Sequence, residues 1–271
     1  MAKYAVLSDI HGNADAFEAV LAKCAEIAVD KYICLGDVVG YNAEPSRCIQ
    51  MAKELNFIAQ VRGNHDEYAV RGAPELSGFN ENAKIAIMWT RHQLSDDELD
   101  WLDSFTYCER VMECGATIVH ATLDTPESWG YIFDGHHAQD NFHYQYTPLC
   151  FCGHSHVPVA FDKAPINNFA SRNANRIAAW EVNEYYPETN TDFRYSDELQ
   201  VRLEKGHKYL FNIGSIGQPR NGDPRASFAV LDTDLQIVTR YRVPYDVASA
   251  QEKIRAAGLP ERLAARLAIG H

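Results

Sequence analysis

Five short apolar runs, each broken off by a residue type that binds metal, constrain this chain more than anything else in it. Tyr4-Ala5-Val6-Leu7 runs into Ser8-Asp9-Ile10-His11-Gly12-Asn13, and Lys31-Tyr32-Ile33-Cys34-Leu35 into Gly36-Asp37. Phe57-Ile58-Ala59-Gln60-Val61 is followed by Arg62-Gly63-Asn64-His65-Asp66, and Ala116-Thr117-Ile118-Val119 by His120. The last, Leu149-Cys150-Phe151-Cys152, ends in Gly153-His154-Ser155-His156. Short apolar runs bounded by glycine and polar residues read as buried strands. In open α/β sheets ligands bind outside the carboxyl ends of the strands, so these groups are expected at one place despite their separation in sequence. The glycines beside them permit tight turns and close approach of backbone.

Helical sequence separates the first three runs. Asn13 is placed to cap a helix whose apolar face is Phe17, Val20, Leu21, Cys24 and Ala28, and Pro45 opens a second with Cys48, Ala52 and Leu55 inside. Two successive βαβ units predict a parallel sheet with right-handed crossovers. Residues 80 to 105 predict two helices, the second announced by the capping-box pattern Ser95-Asp96-Asp97-Glu98. Past residue 162 strands are predicted at 177–182, 199–204, 207–211, 227–231 and 237–243, with Lys205-Gly206 read as a hairpin turn. Helical sequence returns near Val247, breaks at Gly258 and restarts at Pro260. The stretch from about 163 to 198, rich in Asn, Tyr and Glu, is read as an elaborated insertion in one domain spanning 1–271.

The 271 residues, 46% hydrophobic and 23% charged, have the composition of a soluble globular chain. No apolar run is long enough for a membrane span and the first residues lack a signal-peptide pattern, so no membrane and a cytoplasmic location are expected. The net charge of −12 argues against extended nucleic acid as a partner. It is compatible with a phosphate substrate, because bound cations supply positive charge that the chain count omits. The seven cysteines are read as buried reduced thiols outside the chemistry. Cys150 and Cys152 are set aside as a metal pair on the expectation that their thiols face opposite ways.

Taken singly, each ligand group has an ordinary reading. Asp-x-His occurs by chance, His154-x-His156 as a solvated loop pair, Asn64 as a turn residue, and His120 as a hydrogen-bonded core histidine. Coincidence does not explain all of them at strand ends in one chain order. The series Asp9/His11, Gly36-Asp37, Gly63-Asn64-His65-Asp66, His120, Gly153-His154-Ser155-His156 resembles that of the calcineurin-like metallophosphoesterases. The resemblance covers roughly residues 4 to 160. Asn212-Ile213-Gly214-Ser215-Ile216-Gly217-Gln218-Pro219-Arg220 and Gly222-Asp223-Pro224-Arg225-Ala226 are similar to small prokaryotic members.

That resemblance implies an α/β fold, a four-layer αββα sandwich of two mixed sheets. It implies a first metal on Asp9, His11, Asp37 and His156 and a second on Asp37, Asn64, His120 and His154, with Asp37 bridging. His65 would be the catalytic residue beside the substrate phosphate. Nitrogen and oxygen ligands without thiolate suit two divalent ions of Mn, Fe, Zn, Co or Ni better than Ca. Two such ions roughly 3.5–4 Å apart generate a hydroxide nucleophile and stabilise the attacking and leaving oxygens. The implied function is hydrolysis of a phosphomonoester or phosphodiester of a phosphorylated small molecule or nucleotide, with homo-oligomeric assembly left open. The rival is a catalytically weak scaffold that binds a protein partner, which would have no physical need of the ligand set. Arg62, Tyr41, Arg220 and Arg225 are candidates to line the substrate pocket, with surface or ion-pair roles as the alternative for the arginines. One departure stands out: many relatives carry an aspartate three residues after the bridging one to orient the catalytic histidine, and here that position is Gly40.

Overall fold

Tyr4 and Val6 face one side of the first strand and Ala5 and Leu7 the other, and all are buried in different apolar clusters. A strand buried on both faces belongs to an inner layer with partners above and below. The computed structural model of the chain, which describes residues 2–72, 80–165, 182–184 and 196–271, has that architecture.

One sheet runs in the order β3 (Ala59–Gln60), β2 (Lys31–Cys34), β1 (Lys3–Leu7), β11 (Ala226–Asp232), β12 (Ile237–Val243), β9 (Glu198–Arg202). The other runs β4 (Cys108–Val111), β5 (Ala116–Val119), β6 (Leu149–Cys152), β10 (Lys208–Asn212), β7 (Val159–Lys163), β8 (Val182–Glu184). Both are mixed. β1, β2 and β3 are parallel, as are β5, β6 and β10, while β11 lies antiparallel to β1 and β7 antiparallel to β10.

Between the sheets Val6, Ile33 and Leu231 meet Ile118, Phe151 and Phe211. The outer face of the first sheet buries Leu7, Cys34 and Phe228 against Phe17 and Val20 of α1 (Ala14–Glu26) and Cys48, Ile49 and Ala52 of α2 (Pro45–Glu54). The outer face of the second buries Cys150, Phe161 and Leu210 against Ala138 and Phe142 of α6 (Gly135–Tyr144). The layers are therefore helix, sheet, sheet, helix. Between the β3 and β4 strands come α3 (Asn64–Arg71), α4 (Glu81–Gln93) and α5 (Asp96–Asp103), and the chain closes with α7 (Val247–Ala256) and α8 (Glu261–Leu267). Among the described residues no helix is long and apolar enough to cross a membrane.

Local chemistry sets the element ends. Asn13 Oδ1 accepts from the Ala16 amide at 3.1 Å to start α1, Pro45 opens α2, and Ser95 with Glu98 forms a reciprocal capping box on α5. The hairpin expected through Lys205-Gly206 does not form: β9 pairs with β12 in one sheet, whereas β10 lies between β6 and β7 in the other. The segment crosses between layers because Val201 and Phe211 both supply the core between the sheets. The strand expected at 177–182 falls outside the described residues except Val182, which begins β8, and most of the 163–198 insertion does likewise. The third run shortens to two residues in β3, with Val61 bridging Thr106 instead.

Candidate metal centre

The loops leaving β1, β2, β5 and β6 meet at the carboxyl ends of these strands and are laced together by their backbones. The Asp9 amide donates to Gly36 O at 3.0 Å, that of His11 to Asp37 O at 2.9 Å, and that of Gly153 to His120 O at 2.9 Å. The loop after β10 lies across them, the Gly217 amide donating to Asp9 O at 2.8 Å and Ser215 Oγ to the same oxygen at 2.9 Å. At Gly217 a Cβ would sit 1.9 Å from Ile10 O, so only glycine allows this approach.

The result is a buried cluster in two overlapping groups: Asp9, His11, Asp37 and His156, and Asp37, His120 and His154. Within each group the donor atoms lie within 4.8 Å of one another. Asp37 Oδ2 stands 3.5 Å from His11 Nε2 and 3.3 Å from His120 Nε2, and Asp9 Oδ1 is 3.2 Å from His156 Nε2. Asn64, the first residue of α3, is 7% exposed, and its Oδ1 has no hydrogen-bond partner among the described residues.

Each of the four clustered histidines donates one ring N–H to a backbone carbonyl. His11 Nδ1 donates to Val39 O at 3.0 Å, His120 Nδ1 to Leu35 O at 2.8 Å, and His156 Nδ1 to Gln218 O at 2.6 Å. His154 uses Nε2, toward Trp129 O at 3.0 Å. A carbonyl only accepts, so these bonds fix the tautomers and leave the other nitrogens as ligand lone pairs. Two of those nitrogens, His11 Nε2 and His156 Nε2, face each other at 3.2 Å. Lone pairs at that distance repel unless a cation lies between them. The donor set therefore fits divalent metal.

Electrostatics agree at His154 and His156, whereas His120 carries a proton that a metal would have to displace. Burial opposes ionisation of Asp37, yet the charges of His120 and His65 hold it far below the usual carboxylate range. Burial likewise opposes the charge on His120, and Asp37 overrides it, raising His120 to about 9. Burial lowers His154 to about 3, reinforced by His120, and lowers His156 to about 4, reinforced by Arg220. Low values keep imidazoles neutral and able to ligate. Five of the ligand candidates, Asp9, His11, Asp37, His154 and His156, have φ between 52° and 66°, the left-handed region. That conformation costs about 1–2 kcal/mol for a residue with a Cβ.

His65 is buried at 2% exposure, with Tyr41 packed 4.3 Å from its ring and His11 edge-on at 4.8 Å. Burial holds its pKa well below the ordinary histidine value, against the pull of Asp37. Gly40 answers the missing-carboxylate question. A Cβ there would lie 2.4 Å from His65 Nδ1, so the ring occupies the space an aspartate would need.

The remaining candidates divide. Tyr41 lies at the site, and Arg220 reaches it by donating to Tyr41 Oη at 3.1 Å and Gln218 Oε1 at 3.0 Å. Arg225 is instead tied to Asp223 and Asp197, and Arg62 to Asp103. Neither arginine is turned to the cluster, because each already has a carboxylate. Cys150 and Cys152 share one face of β6, as alternate residues on a strand must, so the expected opposition was wrong. Their apolar surroundings, not their direction, exclude them from ligation: burial raises both thiols above the usual range. All seven cysteines are free; Cys108 is exposed and Cys114 half-buried, contrary to expectation.

Asp66 was missed as a functional residue. Its carboxylate accepts from the amides of Asp37 at 2.7 Å, Val38 at 2.9 Å, Val39 at 3.3 Å and Gly63 at 3.1 Å, clamping the bridging loop to α3. The signal was its place at the end of Gly63-Asn64-His65-Asp66, at the third position of a helix, where a carboxylate caps free amides.

Comparison with known proteins gives this arrangement its class. The profile described as a calcineurin-like phosphoesterase superfamily domain matches residues 2–176. The chain belongs to that superfamily. An uncharacterised protein of Methanocaldococcus jannaschii is 36% identical over 268 residues, covering 98% of this chain and 97% of that protein. The crystal structure of a metallophosphoesterase from Sphaerobacter thermophilus is 35% identical with a TM-score of 0.77, covering 100% of this chain and 99% of that one. A hypothetical protein from Pyrococcus horikoshii, at 18% identity, shares the fold with a TM-score of 0.75 over 100% of this chain and 99% of its own.

Proposed function

We propose that this protein hydrolyses phosphate esters at a centre of two divalent metal ions. The observation that supports it most is the pair of overlapping buried groups sharing Asp37, with every histidine tautomer fixed for ligation. Asp9, His11, Asp37 and His156 would hold one ion, and Asp37, Asn64, His120 and His154 the other. When bound, such ions activate water and neutralise charge on the phosphoryl oxygens. In the net reaction the water oxygen bonds to phosphorus, the phosphorus–oxygen bond to the leaving group breaks, and a water proton ends on the departing oxygen.

The chain's own residues would orient this step. Burial favours the neutral form of His65, which would serve as a hydrogen-bonding imidazole at the phosphoryl oxygen. Arg220 brings a guanidinium to the mouth of the site, where a phosphate is best met by a planar fork of donors. Asp66 holds the bridging loop in place through its accepted amides.

The test is hydrolysis of para-nitrophenyl phosphate and bis-para-nitrophenyl phosphate by metal-stripped protein reloaded with Mn. The expected result is metal-dependent turnover that falls at least about 10²-fold in both Asn64→Ala and His65→Ala. The preferred ester separates monoesterase from diesterase. Protein that retains two ions per chain but turns over no ester with any of several metals would refute this reading in favour of the scaffold.

A further inference from the structure

The segment Trp129-Gly130-Tyr131 closes on the second group of ligand candidates. Trp129 O accepts from His154 Nε2 at 3.0 Å, and the Tyr131 ring lies nearly flat on the His154 ring, centroids 4.2 Å apart at 23°. The Trp129 ring stands edge-on to His120, centroids 6.0 Å apart at 74°. In the first group the His11 ring meets Tyr41, His65 and His156 instead, all of them buried.

The two contacts on His154 do different things. A single hydrogen bond fixes the tautomer but leaves the ring free to turn about the N–H···O line. The stack removes that freedom by fixing the plane of the ring. Together they hold Nδ1 as the ligand atom in one direction.

The segment is anchored for this. Upstream, the Leu123 amide donates to Asn141 Oδ1 of α6 at 2.8 Å, and downstream Ile132 is buried with Ala138 and Phe142 of the same helix. Between those anchors Trp129 takes the left-handed φ of 56°, a strained conformation for a residue with a Cβ. Tyr131 itself is 42% exposed. A ring left that far in water adds little to the core, so its fixed contacts are His154 on one face and Phe133, 5.0 Å away at 9°, on the other.

His11 and His156, by contrast, donate to Val39 O and Gln218 O, both on buried residues. The core sets their direction, whereas a partly exposed loop sets that of His154.

We infer that Tyr131 is a positioning residue for the second ion alone. Its stack on His154 sets how tightly Asp37, Asn64, His120 and His154 hold metal, and the group of Asp9, His11, Asp37 and His156 does not depend on it. The two sites are therefore unequal, and a single ring substitution loosens one of them. This rests on the two-ion assignment proposed above and not on the turnover of any ester.

The experiment is calorimetric titration of metal-stripped protein with Mn, with bound ions counted by atomic emission. The parent takes up two ions per chain. Tyr131→Ala weakens one of them about tenfold, the lower end of the range for partners of metal ligands, and holds the other within about twofold. Tyr131→Phe keeps the ring and binds both ions as the parent does. His154→Ala identifies the affected ion: it loses the same one, and adding Tyr131→Ala to it changes the remaining affinity no further, as for residues that act through one group. Two ions held equally well by the parent and Tyr131→Ala, or both weakened together, would overturn the positioning role. A Tyr131→Phe variant as weak as Tyr131→Ala would overturn it too. Parent protein that binds fewer than two ions would refute the two-ion assignment itself, and this inference with it.

Discussion

Replacing Gly40 by alanine should silence catalysis while leaving the metals in place. The added Cβ would fall 2.4 Å from His65 Nδ1 and 2.9 Å from its Cγ, whereas real Cβ contacts do not come within 3.0 Å. Tyr41 at 4.3 Å and His11 at 4.8 Å pack against two sides of the ring. It must therefore move on the scale of an ångström, and a displacement of about 1 Å in a positioned group costs on the order of 10²-fold in rate. Stability should fall by about 2–4 kcal/mol, because overpacking costs about 1–3 kcal/mol and the backbone at φ +95° adds strain once a Cβ is present. The assay is kcat on a nitrophenyl ester together with metal content by atomic emission. Gly63→Ala is the contrasting variant: its Cβ would lie 2.0 Å from Asp37 Oδ1, so it should lose metal as well as rate. Gly40→Asp should do no better than Gly40→Ala, although it restores the residue many relatives carry. A Gly40→Ala protein with kcat within threefold of the parent would refute the placement of His65 at the chemistry.

Tyr41→Phe keeps the ring against His65 and loses only the Arg220 hydrogen bond, so kcat should stay within about fivefold, whereas Tyr41→Ala should lose about 10²-fold at unchanged metal content. Equal losses in the two variants would show that ring packing does not position His65. Stripping the metals should lower the melting temperature by roughly 15 °C relative to protein in metal at 1,000 times Kd, about 4 kcal/mol of linkage for each of two ions, and an unchanged melt would count against the cluster as a metal site. Asp223 should give the protein an acid-sensitive contribution: burial opposes its charge, but hydrogen bonds from Arg225 outweigh this and hold its folded pKa below the unfolded value near 3.9. Its contribution is therefore present above the unfolded pKa and lost as pH falls through the lower folded pKa, so the gap in unfolding free energy between parent and Asp223→Asn at pH 7 should narrow on acidification, and a gap that stays constant with pH would refute this.

Much of the candidate site was legible because carboxylates and imidazoles gathered at strand ends are visible in sequence as Asp9-x-His11, Asp37, His120 and His154-x-His156. The first sheet's βαβ units were legible for a related reason: Phe17 and Val20 on a helical period, and Ala5 and Leu7 beneath them, are a local pattern. What was not legible depends on pairing across distance. Lys205-Gly206 looks like a turn between two strand-like runs, and nothing local records that Val201 and Phe211 enter the same core from opposite sheets. Arg225 and Arg62 were candidates because of the loops they occupy, and only tertiary structure supplies the carboxylates that engage them. The place of Gly40 was visible as a departure, but its reason, the His65 ring filling the space, lies in a contact between residues 25 apart.

The left-handed ligands bear on whether this centre is used. Glycine would adopt the backbone at Asp9, His11, Asp37, His154 and His156 without penalty, yet each carries a side chain there at about 1–2 kcal/mol. The cost is offset locally by the ring-to-carbonyl bonds and the loop-to-loop amide bonds, which also set the direction of every donor atom. A chain that used this surface only to hold a partner would gain stability by relaxing those positions, and it would have no reason to bring His11 Nε2 and His156 Nε2 to 3.2 Å. Strain of this kind persists where it positions groups for a ligand. The arrangement is costly for a metal-free scaffold and well matched to cations, so the energetics of the fold favour a centre that holds metal over one that does not.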